Sequence, residues 1–428
     1  MLGKSWYNIK NKSVIWNRSK FLGRMYYMKQ IGILGFGVVG SGVAEVLKIN
    51  ANGIANRCGE SIRVKSILDI RDFSGHPLSK LFTKNFNDIV NDHDIAVVVE
   101  AMGGSHPAYD FTKAALQAGK SVVTSNKEVV AKLGQELTAI AKKNGVHYLF
   151  EASVGGGIPV IRPIGTCLAA NEIRSVTGIV NGTTNYILTE MFEMGRNFEE
   201  ALADAMDKGY AEKNPSADVD GIDACRKICI LSDIIFGYNV SPEEVKPEGI
   251  RSIRERDVQA AEKAGYSIKL LARAEKCPDG GLYILVCPFF VNHDNMLAGI
   301  RGVFNGILVD GNATDEVLFY GKGAGKMPTA SAMVADVINI VNGRAFTYSW
   351  TRPPISVVKN NAERSSAFYL SVEGEQREAF FAAMGGKDKI FYDHMLDFIS
   401  DIMPEKEADK IMAAFPGVTI HQKLRVLG

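Results

Sequence analysis

An α/β protein is predicted: a doubly wound parallel sheet, a second α+β domain after it, and a small C-terminal α+β module. Two observations predict this. Short β-branched segments alternate with helical ones from Lys29 to Phe150, the arrangement that builds a parallel sheet covered by helices on both faces. After Glu151 the alternation stops, and longer strand-like segments and broadly apolar helices follow.

Taken in order, Lys29–Leu34 reads as a short buried strand opening onto glycines, and Val38–Ile49 carries Val39, Val43, Val46 and Leu47 at helical spacing. Strands follow at Ser61–Ile70, Ile95–Glu100, Ser121–Thr124 and His147–Phe150, with helices at Ala108–Gly119 and Val129–Lys143 between them. Beyond Gly155-Gly156-Gly157, Ile173–Val180 is a strand leading into Asn181-Gly182-Thr183-Thr184-Asn185. Asn197 is placed to cap a helix, with Glu200 at the third helical position and Gly209 closing it. A second long helix, from Gly221 to Phe236, is apolar on nearly every side, and strands are expected at Ser267–Ala274, Tyr283–Pro288 and Val303–Val309. Ala330–Asn342 is a helix expected to return to the first domain, and Trp350–Asn361 reads as a linker. The C-terminal stretch reads strand Phe368–Val372, helix Gln376–Ala383, helices Phe391–Ile402 and Ala408–Phe415, and strand Val418–Leu427.

Bulk composition narrows the function classes. At 428 residues two to three domains are expected, and 46% hydrophobic with 23% charged residues is the composition of a globular protein. With 49 basic and 48 acidic residues the chain lacks the basic excess of a nucleic-acid binder. No apolar run approaches the ~20 residues that span a bilayer, and a cytoplasmic location is expected. Six scattered cysteines contain no CxxC pair, and the Cys225/Cys229 pair has no nearby His or Cys to complete a zinc site. Residues 1–28 form a basic extension without acidic residues. It reads either as an organelle transit peptide or as sequence upstream of a start at Met25 or Met28, and in both cases as lying outside the fold.

Three segments carry chemistry. Gly35-Phe36-Gly37-Val38-Val39-Gly40 is a GxGxxG string directly after a strand and directly before a helix, the context in which glycines let a dinucleotide pyrophosphate approach helix N–H groups. At the end of the second strand Asp69 would bond a ribose 2′-OH and favour NAD, whereas Arg71 would favour the 2′-phosphate of NADP, so NADP or NAD is expected. Met102-Gly103-Gly104 and Thr124-Ser125-Asn126-Lys127 lie at carboxyl ends of parallel strands, where ligands bind. Lys127 there reads as a contact to the nicotinamide ribose or a substrate carboxylate, or as a solvated surface lysine. In Gly209–Lys227, Asp223 and Lys227 stand at i and i+4 on one face of an apolar helix, which reads as a charged pair lining a cleft or as a surface ion pair. Glu212, Asp218 and Asp220 precede it.

Together with Glu151–Pro159, Asn181–Tyr186 and Tyr320–Ala330, these stretches run in order over residues 29–345, and the chain resembles homoserine dehydrogenase. The resemblance implies a Rossmann-type dinucleotide-binding domain at 29–150 with 321–349, and a substrate-binding, catalytic and dimerisation domain at 151–320. It further implies a linker at 350–361 and a degenerate ACT-like regulatory module at 362–428. The implied reaction interconverts L-aspartate 4-semialdehyde and L-homoserine in threonine, methionine and isoleucine biosynthesis. In this reading Lys227 is the proton donor, Lys127 and Asp218 assist, and Glu212 and Asp223 bind the substrate ammonium beside Thr183 and Tyr210. Gly35, Phe36, Gly37, Val38, Val39, Gly40, Asp69, Arg71, Met102, Gly103, Thr124, Ser125, Lys127, Gly209, Gly323 and Gly325 bind the cofactor. Glu151, with main-chain oxygens of Val154, Gly156 and Ile158, holds sodium or potassium, the plainer reading of that loop being a glycine hinge. A homodimer or dimer of dimers is implied. Glu373-Gly374-Glu375-Gln376-Arg377 lacks the usual proline-glycine effector turn, so the C-terminal module is read either as a threonine-responsive or as a dimer-supporting unit. Two rivals are another amino-acid dehydrogenase on this scaffold, which assays on homoserine and L-aspartate separate, and a nucleotide sensor, which would not need Lys127, Asp223 and Lys227 together.

Overall fold

The structure is a computed structural model that describes residues 30–427 apart from 60, 353, 354 and 388; the basic N-terminal extension lies outside the described residues. The first sheet comprises β1 (Gln30–Leu34), β2 (Arg63–Leu68), β3 (Phe82–Thr83), β4 (Ile95–Glu100), β5 (Ser121–Thr124) and β6 (Tyr148–Leu149), with helices α1 (Val38–Ile49), α2 (Ala108–Gln117) and α3 (Lys127–Lys143) between them. Its order is β3-β2-β1-β4-β5-β6 and every pairing is parallel, the order of the doubly wound dinucleotide-binding fold. Strands buried on both faces are near-continuous hydrophobic runs, which is why Ile95–Glu100 and Ser121–Thr124 coincide with the segments expected from sequence.

After Glu151 the chain builds β7 (Ile173–Ile179), α4 (Gly182–Met194), α5 (Phe198–Asp207), α6 (Ile222–Phe236), α7 (Glu255–Ala264) and strands β8 (Tyr266–Lys276), β9 (Leu282–Asn292), β10 (Phe304–Gly311) and β11 (Asp315–Lys322). α8 (Lys326–Val341) then crosses back onto α1, where Gly42 leaves room for Lys326 and Ala330. With α8 in place, Met333 and Val337 join Ile31, Ile33, Val97 and Val99 in one buried cluster. The expected capping box is present in α5: Asn197 accepts from Glu200 N at 2.9 Å and Glu200 accepts from Asn197 N at 3.1 Å. Several elements escaped the sequence reading, among them β3 and the short helices Ala51–Cys58 and Ile161–Thr166, and three longer ones. The longer ones are β11, α7, and α4, whose N-cap Asn181 and C-terminal Gly195 were its only local signals.

The C-terminal stretch folds as β12 (Phe368–Glu373), α9 (Arg377–Ala383), β13 (Lys389–Tyr392), β14 (Leu396–Ile399), α10 (Glu405–Ala414) and β15 (Thr419–Leu427). This βαββαβ order is that of a ferredoxin-like unit. The helix expected over Phe391–Ile402 is instead the hairpin β13–β14. Leu396 and Phe398 face the module's core while Asp397 between them faces the opposite way, a period of two that a strand satisfies and a helix does not. β15 pairs in parallel with β9. The second sheet therefore continues unbroken into the module, in the order β11-β10-β7-β8-β9-β15-β12-β14-β13.

The face of the module opposite α9 and α10 packs on α7. Tyr369 stacks on Phe290 with ring centroids 4.3 Å apart, and the fully buried Asp397 accepts from Arg256 Nε at 2.7 Å. A carboxylate taken out of water in this way depends on its partner. Arg256→Ala is expected to destabilise the protein by about 3–5 kcal/mol, the cost of stranding a buried charge, measured as a shift in the urea unfolding midpoint at neutral pH; an unchanged midpoint would show that the pair does not bear on stability.

Candidate active site

The carboxyl ends of β1 and β4, where strand order reverses, open onto a cleft of about 550 Å³ walled on its far side by α4, α6 and the loop before α8. Gly35 takes φ +88, and a Cβ on Gly40 would lie 2.0 Å from the Gly35 carbonyl oxygen, so α1 packs tightly on the turn. Above Gly37 the space is open. No side chain caps α1 and its first turn carries no acidic residue, which leaves helix N–H groups and the positive end of the dipole free to meet an anion. These features fit a dinucleotide pyrophosphate.

Beside the turn, Asp69 and Arg71 are partners and not rivals. Asp69 accepts from Arg71 Nε at 2.9 Å, from Arg71 Nη2 at 2.8 Å and from Phe36 N at 2.7 Å. The Arg71 guanidinium, against an opposing effect of burial, holds the Asp69 carboxyl well below the usual range. Asp69 is thus buried and engaged, while more than half of the Arg71 side chain remains exposed. Phe36 likewise uses its N–H on Asp69 and buries its ring against Phe73 and Phe82. Val38 is exposed, and Val39 lines the cleft.

At the next two strand ends a residue absent from the sequence reading does the organising. Glu100 is buried at the end of β4. It accepts from Met102 N at 2.7 Å and from the Thr124 hydroxyl at 2.5 Å, and that hydroxyl in turn accepts from Asn126 N at 2.9 Å. Burial pushes its carboxyl up to about 7, against the hydrogen bonds from Thr124 and Met102. Thr124 therefore ties two strands together and does not face a ligand. Gly103 is exposed and Met102 half-buried, whereas Ser125 and Lys127 line the cleft.

The charged centre joins the two sheets. On α6, Lys227 Nζ lies 2.8 Å from Asp223 Oδ2 and donates to the Val180 carbonyl at 2.6 Å, and the other Asp223 oxygen pairs with Lys127 at the start of α3. Asp223 and Lys227 are both buried. Asn181, part of a matching stretch but given no role of its own from sequence, accepts from Thr184 N to cap α4 while donating to Asp218 at 2.7 Å and Asp223 at 2.9 Å. Burial lowers the Lys227 amine below the ordinary lysine range despite Asp223 beside it. Burial also disfavours the Asp223 anion, yet Lys227 and Lys127 outweigh it and hold the carboxyl well below its usual range. Asp218 is raised, by burial first and by Asp223 next. Thr183, whose hydroxyl donates to the Tyr210 carbonyl at 2.6 Å, lines the same cleft with Tyr210, Gly209, Gly323 and Gly325. Glu212 is not brought in; it is exposed on the turn that follows Gly209 and lies outside the lining.

Glu151 departs from its expected role as a cation ligand through its side chain. Its carboxylate accepts from the backbone N–H groups of Val160, Ile161 and Arg162 at 2.7–2.8 Å, leaving at most one lone pair for anything else. The carbonyl oxygens of Val154, Gly156 and Ile158 are different. All three residues are buried, and among the described residues no hydrogen bond reaches those oxygens.

Comparisons with known proteins identify relatives of the chain. A family model described as homoserine dehydrogenase matches residues 159–338, and one described as homoserine dehydrogenase, NAD binding domain matches residues 35–151. The chain is 44% identical to a homoserine dehydrogenase of Synechocystis sp. over 73% of each chain, and 40% identical to one of Helicobacter pylori over 82% of this chain and 83% of that one. A crystal structure of a homoserine dehydrogenase from Thiobacillus denitrificans superposes with a TM-score of 0.86 at 34% identity, covering 93% of this chain and 98% of that one. A hyperthermophilic archaeal homoserine dehydrogenase in complex with NADPH superposes with a TM-score of 0.63 at 29% identity, covering 74% and 99%.

Removing Asp223 leaves a buried ammonium without its anion, which costs about 3–5 kcal/mol. The native-state amine is already lowered relative to an unfolded lysine near ~10.4, so the penalty exists where the unfolded chain is protonated and fades as pH rises towards that value. Asp223→Ala is therefore expected to unfold at lower urea at pH 7 than the wild type, with the gap narrowing by pH 9.5; a gap independent of pH would place the loss in packing.

Proposed function

The chain belongs to the homoserine dehydrogenase family, an NAD(P)-dependent oxidoreductase that interconverts L-homoserine and L-aspartate 4-semialdehyde, and from that premise we propose that Lys227 carries the proton of the reaction. The observation that carries this reading is the buried Lys227 ammonium in the cleft wall. Asp223 and the Val180 carbonyl take two of its three N–H groups and leave one for a reacting oxygen. When bound, the nicotinamide supplies the hydride chemistry. Lys227 then neutralises the charge that develops on the aldehyde oxygen by donating to it, and in the reverse direction it accepts the hydroxyl proton of homoserine. Lys127, sharing Asp223, orients that pair and positions substrate, with Asp218 in support. Asp223 meets the substrate ammonium beside Thr183 and Tyr210, and the part expected of Glu212 is not carried forward because it stands outside the cleft lining.

The glycine turn, Val38, Val39, Met102, Gly103, Ser125, Gly209, Gly323 and Gly325 form the cofactor side of this reading. NADP is the favoured cofactor, because the Asp69 carboxylate is taken up by Arg71 and Phe36 N while the guanidinium keeps an exposed edge for a 2′-phosphate; the archaeal relative in complex with NADPH is consistent with this. The main-chain oxygens of Val154, Gly156 and Ile158 form an all-oxygen set suited to sodium or potassium, with Glu151 shaping the loop through its backbone contacts. The assembly is a homodimer or a dimer of dimers, the location is cytoplasmic, and the C-terminal module answers to threonine or supports the dimer. A spectrophotometric assay with L-homoserine and each cofactor, with and without threonine, sodium or potassium, tests these readings; absence of turnover with either cofactor removes them.

Two outcomes are expected. A lysine lowered by burial is neutral over a wider pH range, so homoserine oxidation should rise with pH and level off below ~10.4, while aldehyde reduction falls across the same limb. Lys227→Ala should lose about 10²–10⁴-fold in kcat together with that pH limb, and should still bind cofactor by fluorescence titration; a variant that keeps the limb would exclude Lys227 as its source. Arg71→Ala should weaken NADP binding about 10–100-fold while leaving NAD binding within about twofold, as loss of a charge-assisted contact to the 2′-phosphate implies; equal losses for both cofactors would contradict that role.

A further inference from the structure

One buried polar group of the cleft serves neither the lysine pair nor the glycine turn. Asn305, near the start of β10, is 1% exposed and lines the cleft, and its Oδ1 has no hydrogen-bond partner among the described residues. Leaving a buried amide oxygen unpaired costs about 1–3 kcal/mol, and buried polar groups in folded proteins are otherwise paired. An orphan facing a ligand cleft is accounted for by a donor that the ligand brings.

Its position narrows what that ligand group is. The amide lies flat against Gly323, where a Cβ would fall 1.9 Å from Asn305 Nδ2. On the other side is Gly182, where a Cβ would stand 3.6 Å from Asn305 Oδ1. Asn305 is thus sandwiched between the loop before α8 and the first turn of α4, two residues beyond the Val180 carbonyl that accepts from Lys227. The charges of the amino-acid substrate have charged counterparts nearby in Asp218, Asp223 and Lys127. Asn305 is neutral and offers one donor and one acceptor in a single plane. Within the cofactor that neutral, planar donor–acceptor pair occurs in the adenine edge and in the nicotinamide carboxamide, and only the carboxamide belongs on the Lys227 side, the adenosine end lying at Asp69 and Arg71.

We propose that Asn305 recognises the nicotinamide carboxamide through a reciprocal amide pair, and so fixes which face of the ring is turned towards Lys227. This rests on the nicotinamide-dependent activity stated above. Gly323, which has no side chain, is what lets the loop before α8 pack this close to the amide and hold its plane in place.

The 3-acetylpyridine analogue of the cofactor tests the assignment, because a methyl group replaces the NH2 that Asn305 Oδ1 would accept from. Dissociation constants for the cofactor and its analogue are measured by isothermal titration calorimetry on the wild type, on Asn305→Ala, and on Asn305→Leu, which keeps the volume, with folding checked by circular dichroism. The wild type is expected to bind the carboxamide cofactor about tenfold tighter than the analogue, the size of one neutral hydrogen bond. Both variants should bind the two alike, with the KM for homoserine changed less than the cofactor Kd. A variant that discriminates as the wild type does overturns the proposal: with a raised KM for homoserine, Asn305 belongs to the substrate side, and with no change in either, it only packs the β10–β11 hairpin. A wild type that binds no dinucleotide overturns the nicotinamide-dependent activity itself, and the assignment falls with it.

Discussion

A single buried carboxylate sets the terms for the rest of the molecule. Asp223 receives Lys227 from its own helix and Lys127 from the start of α3, so one anion is shared by ammonium groups on helices that flank two different sheets. Removing the Asp223 and Lys227 charges from water is costly, and Asn181 and the Val180 carbonyl satisfy what the ions leave over, while Lys127 keeps part of its side chain in solvent. The geometry of the cleft follows. The dinucleotide-binding sheet and the mixed sheet cannot separate far without breaking the Lys127–Asp223 pair.

The same burial that makes the cluster expensive makes it chemically useful. Lys227 lies below the ordinary lysine range because its surroundings exclude water, and Asp223 only partly reverses that. In the proposed reaction this suits a group that must both give and take a proton, since a fully solvated lysine stays protonated up to ~10.4. Glu100, a buried carboxyl pushed up to about 7, shows the same environment acting on the cofactor side, where it ties the ends of β4 and β5 together through Thr124.

Much of this was legible in the chain before any coordinates. Parallel strands are hydrophobic runs bounded by turns, so β4 and β5 fall on the residues expected, and the glycine string sits between its strand and helix. Asp223 and Lys227 could be paired because helical spacing alone puts them on one face. What could not be read was whatever depends on distant segments meeting. Asn305 looks like any polar residue in a strand, and Asn181 like a turn former. Thr124 seemed free to meet a ligand until Glu100, more than twenty positions earlier, claimed its hydroxyl. The hairpin at β13–β14 was mistaken for a helix because a short aromatic and aliphatic run fits either period; the deciding fact, Arg256 reaching Asp397 from α7, lies far away in sequence.

The junction of β9 with β15 also governs how the molecule can be assembled. β9 is complete when the chain has passed Asn292, but the strand that covers its free edge ends at Leu427. Until those late residues emerge, the Phe289–Val291 end of β9 offers bare N–H and C=O groups to any passing chain, the kind of edge that nucleates misassembly. A chain cut short between the two strands would keep that end of the edge bare, and is expected to aggregate more readily than the full chain.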